Sequence, residues 1–116
     1  MKMHKEFLVR FLQNLENELK LDIYPIKATI NNKENFIVYE ISNEEIVLSI
    51  DNKLLVKEIE ISLIIYSKKY QKLRNIKEDF ESLLFSIDKK PSDILIAGED
   101  EEDGFYKSSI FLTFKI

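Results

Sequence analysis

The segment 54–66, Leu-Leu-Val-Lys-Glu-Ile-Glu-Ile-Ser-Leu-Ile-Ile-Tyr, constrains this chain more than any other stretch. On an extended backbone Leu55, Ile59, Ile61, Leu63 and Ile65 fall on one side, and Glu58, Glu60 and Ser62 on the other. Side chains alternate across a strand, so a period of two predicts a strand with one face in the core. Near its end Ile64 and Tyr66 make the second face apolar too. That end is expected to be covered on both sides or to sit at an interface. Such a strand needs neighbours in a sheet and a layer to cover it.

Two helices are expected to supply the layer. Phe7, Leu8, Phe11, Leu12, Leu15 and Leu19 recur with the spacing of one helical face, predicting an amphipathic helix over 4–20. Val9 falls off that stripe and is a candidate surface or interface residue. The step Asp22-Ile23-Tyr24-Pro25 stops the helix, because the residue before a proline is pushed out of the α region. Tyr70, Leu73, Ile76, Phe80, Leu83, Leu84 and Ile87 follow the helical period again. Ser67 is the expected cap of that second helix, which runs to Ser86 or Ile87 and ends before Pro91.

Further strands are expected at 36–42, where β-branched and aromatic residues dominate, at 46–50 and at 93–97. Residues 31–35 read as a loop, Ser42 to Glu45 as a turn or bulge, and Asp51-Asn52-Lys53 as a turn. The last strand, 105–116, turns Tyr106, Ile110, Leu112, Phe114 and Ile116 inward, with Lys107, Ser109, Phe111, Thr113 and Lys115 on the other side. Between the last two strands lies an acidic loop from Gly98 to Gly104. Strands in runs rather than in strict alternation with helices imply an α+β fold. The expectation is one domain over 1–116, with an antiparallel or mixed sheet of four to five strands and both helices on one face.

Composition narrows the chemistry. The chain has no Cys, which excludes a disulfide framework, a thiolate nucleophile and Cys-ligated metal centres. Its single histidine, His4, reads as a solvent-exposed residue near the end of the chain rather than as a catalytic base. With only two glycines there is no phosphate-cradling motif. Seventeen basic and 21 acidic residues give a net charge of −4, a poor bulk field for nucleic acid or an anionic membrane. No apolar run is long enough to span a bilayer. Lys68, Lys69, Lys72, Arg74 and Lys77 load the second helix with positive charge, which reads as an ordinary surface with i, i+4 pairing. The run Glu99-Asp100-Glu101-Glu102-Asp103 does not have the order of an EF-hand. It reads as a solvated hairpin loop, with docking to a basic partner as the alternative. No catalytic, cofactor-binding or metal-ligating residue is assigned, and a non-enzymatic protein is expected.

As a whole, the linear pattern resembles the bacteriophage tail completion family, the tail-to-head joining or minor tail proteins. The residues that carry the likeness are Ile23-Tyr24-Pro25 after the first helix and Phe36-Ile37-Val38-Tyr39-Glu40-Ile41-Ser42 in the next strand. It continues with Ile59–Tyr66 followed by Ser67 and Tyr70, and with the acidic turn Glu99–Asp103 leading to Phe105-Tyr106. Asn35 stands where the family often has a proline, and the spacing to Ile41 is one residue short.

The resemblance implies a phage or prophage virion assembly protein without cofactors. It would form a ring, usually hexameric, that caps the head-proximal end of the tail tube. Its partners would be copies of itself, the tail tube protein and a head completion or connector protein. Its setting would be the host bacterial cytoplasm during assembly and then the virion. Candidate interface residues are Val9, Ile64, Tyr66 and Phe111, with the loop at Asn43–Lys53 and the run Glu99, Asp100, Glu101, Glu102 and Asp103 as candidate docking elements. A different class of function fits the same acidic run: a small immunity or inhibitor protein that covers a basic toxin or nuclease.

Overall fold

A computed structural model describes residues 2–26, 34–48, 55–87 and 89–115. Helix α1 spans Lys2–Leu19 and helix α2 spans Tyr70–Ser86. The strands are β1, Ile23–Pro25; β2, Asn35–Leu48; β3, Leu55–Ser67; β4, Asp93–Glu102; and β5, Phe105–Lys115. They form one mixed sheet in the order β1-β2-β3-β5-β4. β1 runs parallel to β2, and every other pairing is antiparallel. This is the expected α+β architecture.

The alternation in β3 dictates the layering. Ile59, Ile61, Leu63 and Ile65 are fully buried, and both helices pack against that face. α1 contributes Phe11, Leu12 and Leu15, and α2 contributes Leu73, Ile76, Phe80 and Leu84. β5 lies beside β3 and adds Ile110, Leu112 and Phe114. Phe114 closes the bottom of α1, edge-on to Phe7 and Phe11 at centroid distances of 4.9 and 5.1 Å. Burying each large aliphatic or aromatic side chain contributes roughly 1.5–3 kcal/mol, so this single cluster dominates the stability.

Four local expectations are corrected. First, the strands expected at 36–42 and 46–50 are one strand as far as Leu48, with residues 49 and 50 outside the described residues. β2 continues through Ser42 with a register shift between Ile41 and Asn43, a bulge rather than a reversal. The Ser42 hydroxyl donates to Glu60 Oε1 at 2.6 Å across the bulge. Second, the stop after α1 is also a strand. Lys20 takes a left-handed φ of 55°, and β1 then pairs with β2. Pro25 is tolerated there because β1 is at the sheet edge. Third, Ser67 is not the helix cap. The cap position is Lys69, and the buried Ser67 accepts from the Lys69 N–H at 3.2 Å while donating to Asn35 Oδ1. Fourth, the acidic loop is largely strand, because β4 runs to Glu102. The loop at 31–33, the turn at 51–53 and Ile116 lie outside the described residues, as does the side chain of His4.

One feature breaks the compact outline. Among the described residues β3 pairs with β5 as far as Glu58, opposite Lys115, while β2 and β3 stay paired out to Leu48 and Leu55. In the described structure these two strands therefore form an arm past the rest of the sheet. The molecule measures 52 × 28 × 25 Å with a radius of gyration of 15.3 Å, against about 13 Å for a compact domain of this length.

Candidate interaction surfaces

The acidic run is divided by a bulge. In β4, Ile94 and Ile96 pair with Leu112 and Ile110 and face the helices. Unbroken alternation would next turn Gly98, Asp100 and Glu102 that way. The register shift between Ile96 and Glu99 inserts one residue and inverts the pattern. Glu99 and Glu101 then share the helix side, and Asp100 and Glu102 the opposite side.

Glu99 becomes the centre of a polar cluster with α2. The Tyr70 hydroxyl donates to Glu99 Oε1 at 2.8 Å, while Arg74 Nη1 and Lys77 Nζ donate to Oε2 at 3.2 and 3.1 Å. The Tyr70 hydrogen bond, aided by Lys77 and Arg74, holds the Glu99 carboxyl below the usual carboxylate range against the opposing effect of desolvation. The same hydrogen bond to Glu99 pushes the Tyr70 phenol upward, and the Arg74 hydrogen bond to Glu99 does so for the guanidinium. Lys77 is nearly buried, its side chain only 9% exposed. So Arg74 and Lys77 reach across to β4 rather than simply pairing along their own helix. On the other face Glu102 forms an ion pair with Lys107. The strand then reverses at Asp103-Gly104, whose φ values of 51° and 83° are those of a tight two-residue hairpin turn. Of the five acids, Glu99 and Glu102 are paired with cations of the chain, and Asp100, Glu101 and Asp103 are exposed.

The face of the sheet away from the helices brings together three of the four apolar candidates. Ile64, Tyr66 and Phe111 all point there, because the residues of opposite parity fill the core: Leu63, Ile65, Ile110 and Leu112 are fully buried. Tyr66 stacks on Phe36 at 4.9 Å, and Phe105 meets both rings edge-on. Tyr24 joins from β1, and the Lys68 ammonium lies 5.5 Å from the Phe105 centroid. Tyr24, Phe36 and Phe105 were not among the sequence candidates. They could have been found only from the register, which sets Phe36 opposite Tyr66. Val9 is not part of this face. It is 45% exposed on α1, in the helix layer.

A second apolar surface lies along the free edge of β4. Ile94, Leu95 and Ile96 are exposed there, and Phe85 of α2, 77% exposed, is the most open large hydrophobic side chain described. Between α2 and β4 runs a groove of about 460 Å³ lined by Leu84, Phe85, Pro91, Ile94 and Ile96, with Glu81 and Lys90 at its margins. The sequence signal for Phe85 is its position off the helical stripe, next to the core residue Leu84.

Among the described residues, no three His, Asp or Glu side chains are grouped to hold a metal ion. No described helix is long and apolar enough to cross a membrane. Compared with known proteins, the chain matches no family model and no curated sequence.

Proposed function

We propose that this protein is a structural subunit of a phage or prophage tail. Copies form a ring that caps the head-proximal end of the tail tube and meets the head connector. The reading rests on the family resemblance of the sequence, and the observation that supports it most is the β2–β3 arm. An isolated two-stranded ribbon is marginal in water, yet this one extends past the sheet and carries the 59%-exposed Ile46. Such an element gains its stability when another subunit covers it. A ring needs two unlike surfaces per subunit, each meeting the other on a neighbour. The arm is one such surface. The helix-free face with Ile64, Tyr66 and Phe111 is the other.

The test is to shorten the arm. Glu45 and Glu58 are register partners, so replacing residues 46–57 by Asn-Gly closes the hairpin between them with a favoured turn. The natural chain, mixed with its cognate tail tube protein, should form rings on tube ends in negative-stain images. The shortened chain should fold, by circular dichroism, and leave the tubes uncapped. Capping by the shortened chain would remove the arm from the mechanism. A tight one-to-one complex with a basic toxin, and no effect on tubes, would replace this reading with the inhibitor.

A further inference from the structure

From the edge of β4 we infer a second interface, independent of the role proposed above: two copies of the free protein pair antiparallel through β4 about a two-fold axis at Leu95, making one ten-stranded sheet. β4 ends the sheet order, so its outer backbone groups have no described strand beside them. Sheet edges are normally guarded by charge, proline or a bulge. Here the guards stand towards the two ends of the strand, Pro91 and Asp93 on one side of its middle and the bulge and acids on the other. The middle, Ile94-Leu95-Ile96, is apolar and exposed at 42, 59 and 40%.

The order of charges selects a second copy as the occupant. Lys90 and Lys89, the latter with its ammonium 5.8 Å from the Phe7 centroid, precede the apolar triplet, and the exposed Asp100 and Glu101 follow it, Glu102 being paired with Lys107. In an antiparallel self-pairing centred on Leu95, the basic end of each copy lies against the acidic end of the other. Leu95 meets its own counterpart, and Ile94 sits opposite Ile96. Lys90 borders the groove on the helix side, the side to which the bulge turns Glu101. A parallel pairing would align like with like.

Packing follows the same symmetry. A two-fold perpendicular to the sheet keeps the helix layers of both copies on one side. The two α2–β4 grooves then abut, and Phe85 of each copy covers Ile94 and Ile96 of the other. This accounts for the most exposed large hydrophobic side chain in the described protein. An isologous contact is self-complementary and closes at two copies. In a ring-forming protein it is the state before the tube is met, with the arms at the far ends of the paired sheet.

The mass of the purified full chain in solution tests this, by sedimentation or light scattering. The natural chain should have twice the 13.8 kDa chain mass. Leu95→Arg, which sets two like charges on the axis, should give the single-chain mass. So should Lys89→Glu with Lys90→Glu, and Asp100→Lys with Glu101→Lys, each of which makes both ends repel. Mixing the two charge-reversed proteins pairs opposite charges at both ends and should restore the double mass as a heterodimer, with circular dichroism confirming that each parent is folded. A natural chain of single mass, charge-reversed variants that keep the natural mass, or a mixture that stays at single mass would each overturn the inference.

Discussion

Lys77 Nζ of α2 lies 3.1 Å from Glu99 Oε2 of β4, and this contact fastens the outer strand to the helix layer across 22 positions of sequence. It exists because a single extra residue near Ala97 and Gly98 turns Glu99 toward the helices. Removing Glu99 leaves the nearly buried ammonium without its anion. Glu99→Ala should lower stability by about 1 kcal/mol, near the surface-pair range because the Glu99 side chain keeps 23% exposure. Lys77→Met should cost less, since it removes the charge and keeps the packing. Urea unfolding of the two variants and their combination measures the coupling.

The same cluster makes stability depend on acid. The Tyr70 hydrogen bond, with Lys77 and Arg74, depresses the folded-state pKa of Glu99. The unfolded chain therefore takes up this proton first as pH falls. The contribution is complete above the ordinary Glu value of about 4.3 and disappears as pH drops through the lower folded value. Glu99→Gln should be less stable than the natural chain at pH 6, and the gap should narrow steadily as the pH falls below the ordinary Glu value of about 4.3. Urea midpoints at a series of pH values from 6 downward check the convergence.

Phe114 is fully buried and packs edge-on to two rings of α1. Phe114→Ala should cost about 3–5 kcal/mol through lost burial and the cavity left between sheet and helix. Chemical denaturation measures it. Loss of folded protein on expression agrees with the same prediction, whereas a cost below about 1 kcal/mol contradicts it.

The two glycines should respond differently to substitution. Gly104 has a φ of 83° in the β4–β5 turn, and a Cβ there would meet nothing within 4 Å. The cost of Gly104→Ala is therefore one of backbone conformation, about 1 kcal/mol. Gly98 has equally open space and no left-handed φ, so Gly98→Ala should be neutral or stabilising by up to about 1 kcal/mol. Paired thermal melts of the two variants distinguish them.

Ser108 is fully buried on β5, and its hydroxyl has no partner among the described residues. A polar group buried without a hydrogen bond is costly. Ser108→Ala should raise stability by about 1 kcal/mol, measured by the urea midpoint.

Legibility in the sequence followed periodicity. β3 and both helices could be read because a buried face repeats along each of them, as in Ile59 to Ile65 or Leu73 to Leu84. At Ser42 the sequence left a turn or a bulge open, and the pairing with β3 decides for the bulge. The bulge at Ala97-Gly98 went unread, because the glycine and acids that mark a loop there also suit a strand that gains one residue. β1 was hidden by its length of three residues and by its proline. Ile64, Tyr66 and Phe111 were found as apolar residues outside the core pattern, and they do share a face. Phe36 and Phe105 were missed because their neighbours on that face come from other strands. The acidic run was visible as charge, but which of its members are spent internally was decided by the bulge.

The place of β5 bears on how the sheet holds together. β4 joins the sheet only through β5, and β5 also supplies Ile110, Leu112 and Phe114 beside β3. β5, the last of the described strands in sequence order, is thus an interior strand of the sheet. Without residues 105–115 the outer edge of β3 would lie open and β4 would have no strand to pair with, so this one segment holds the two halves of the sheet together.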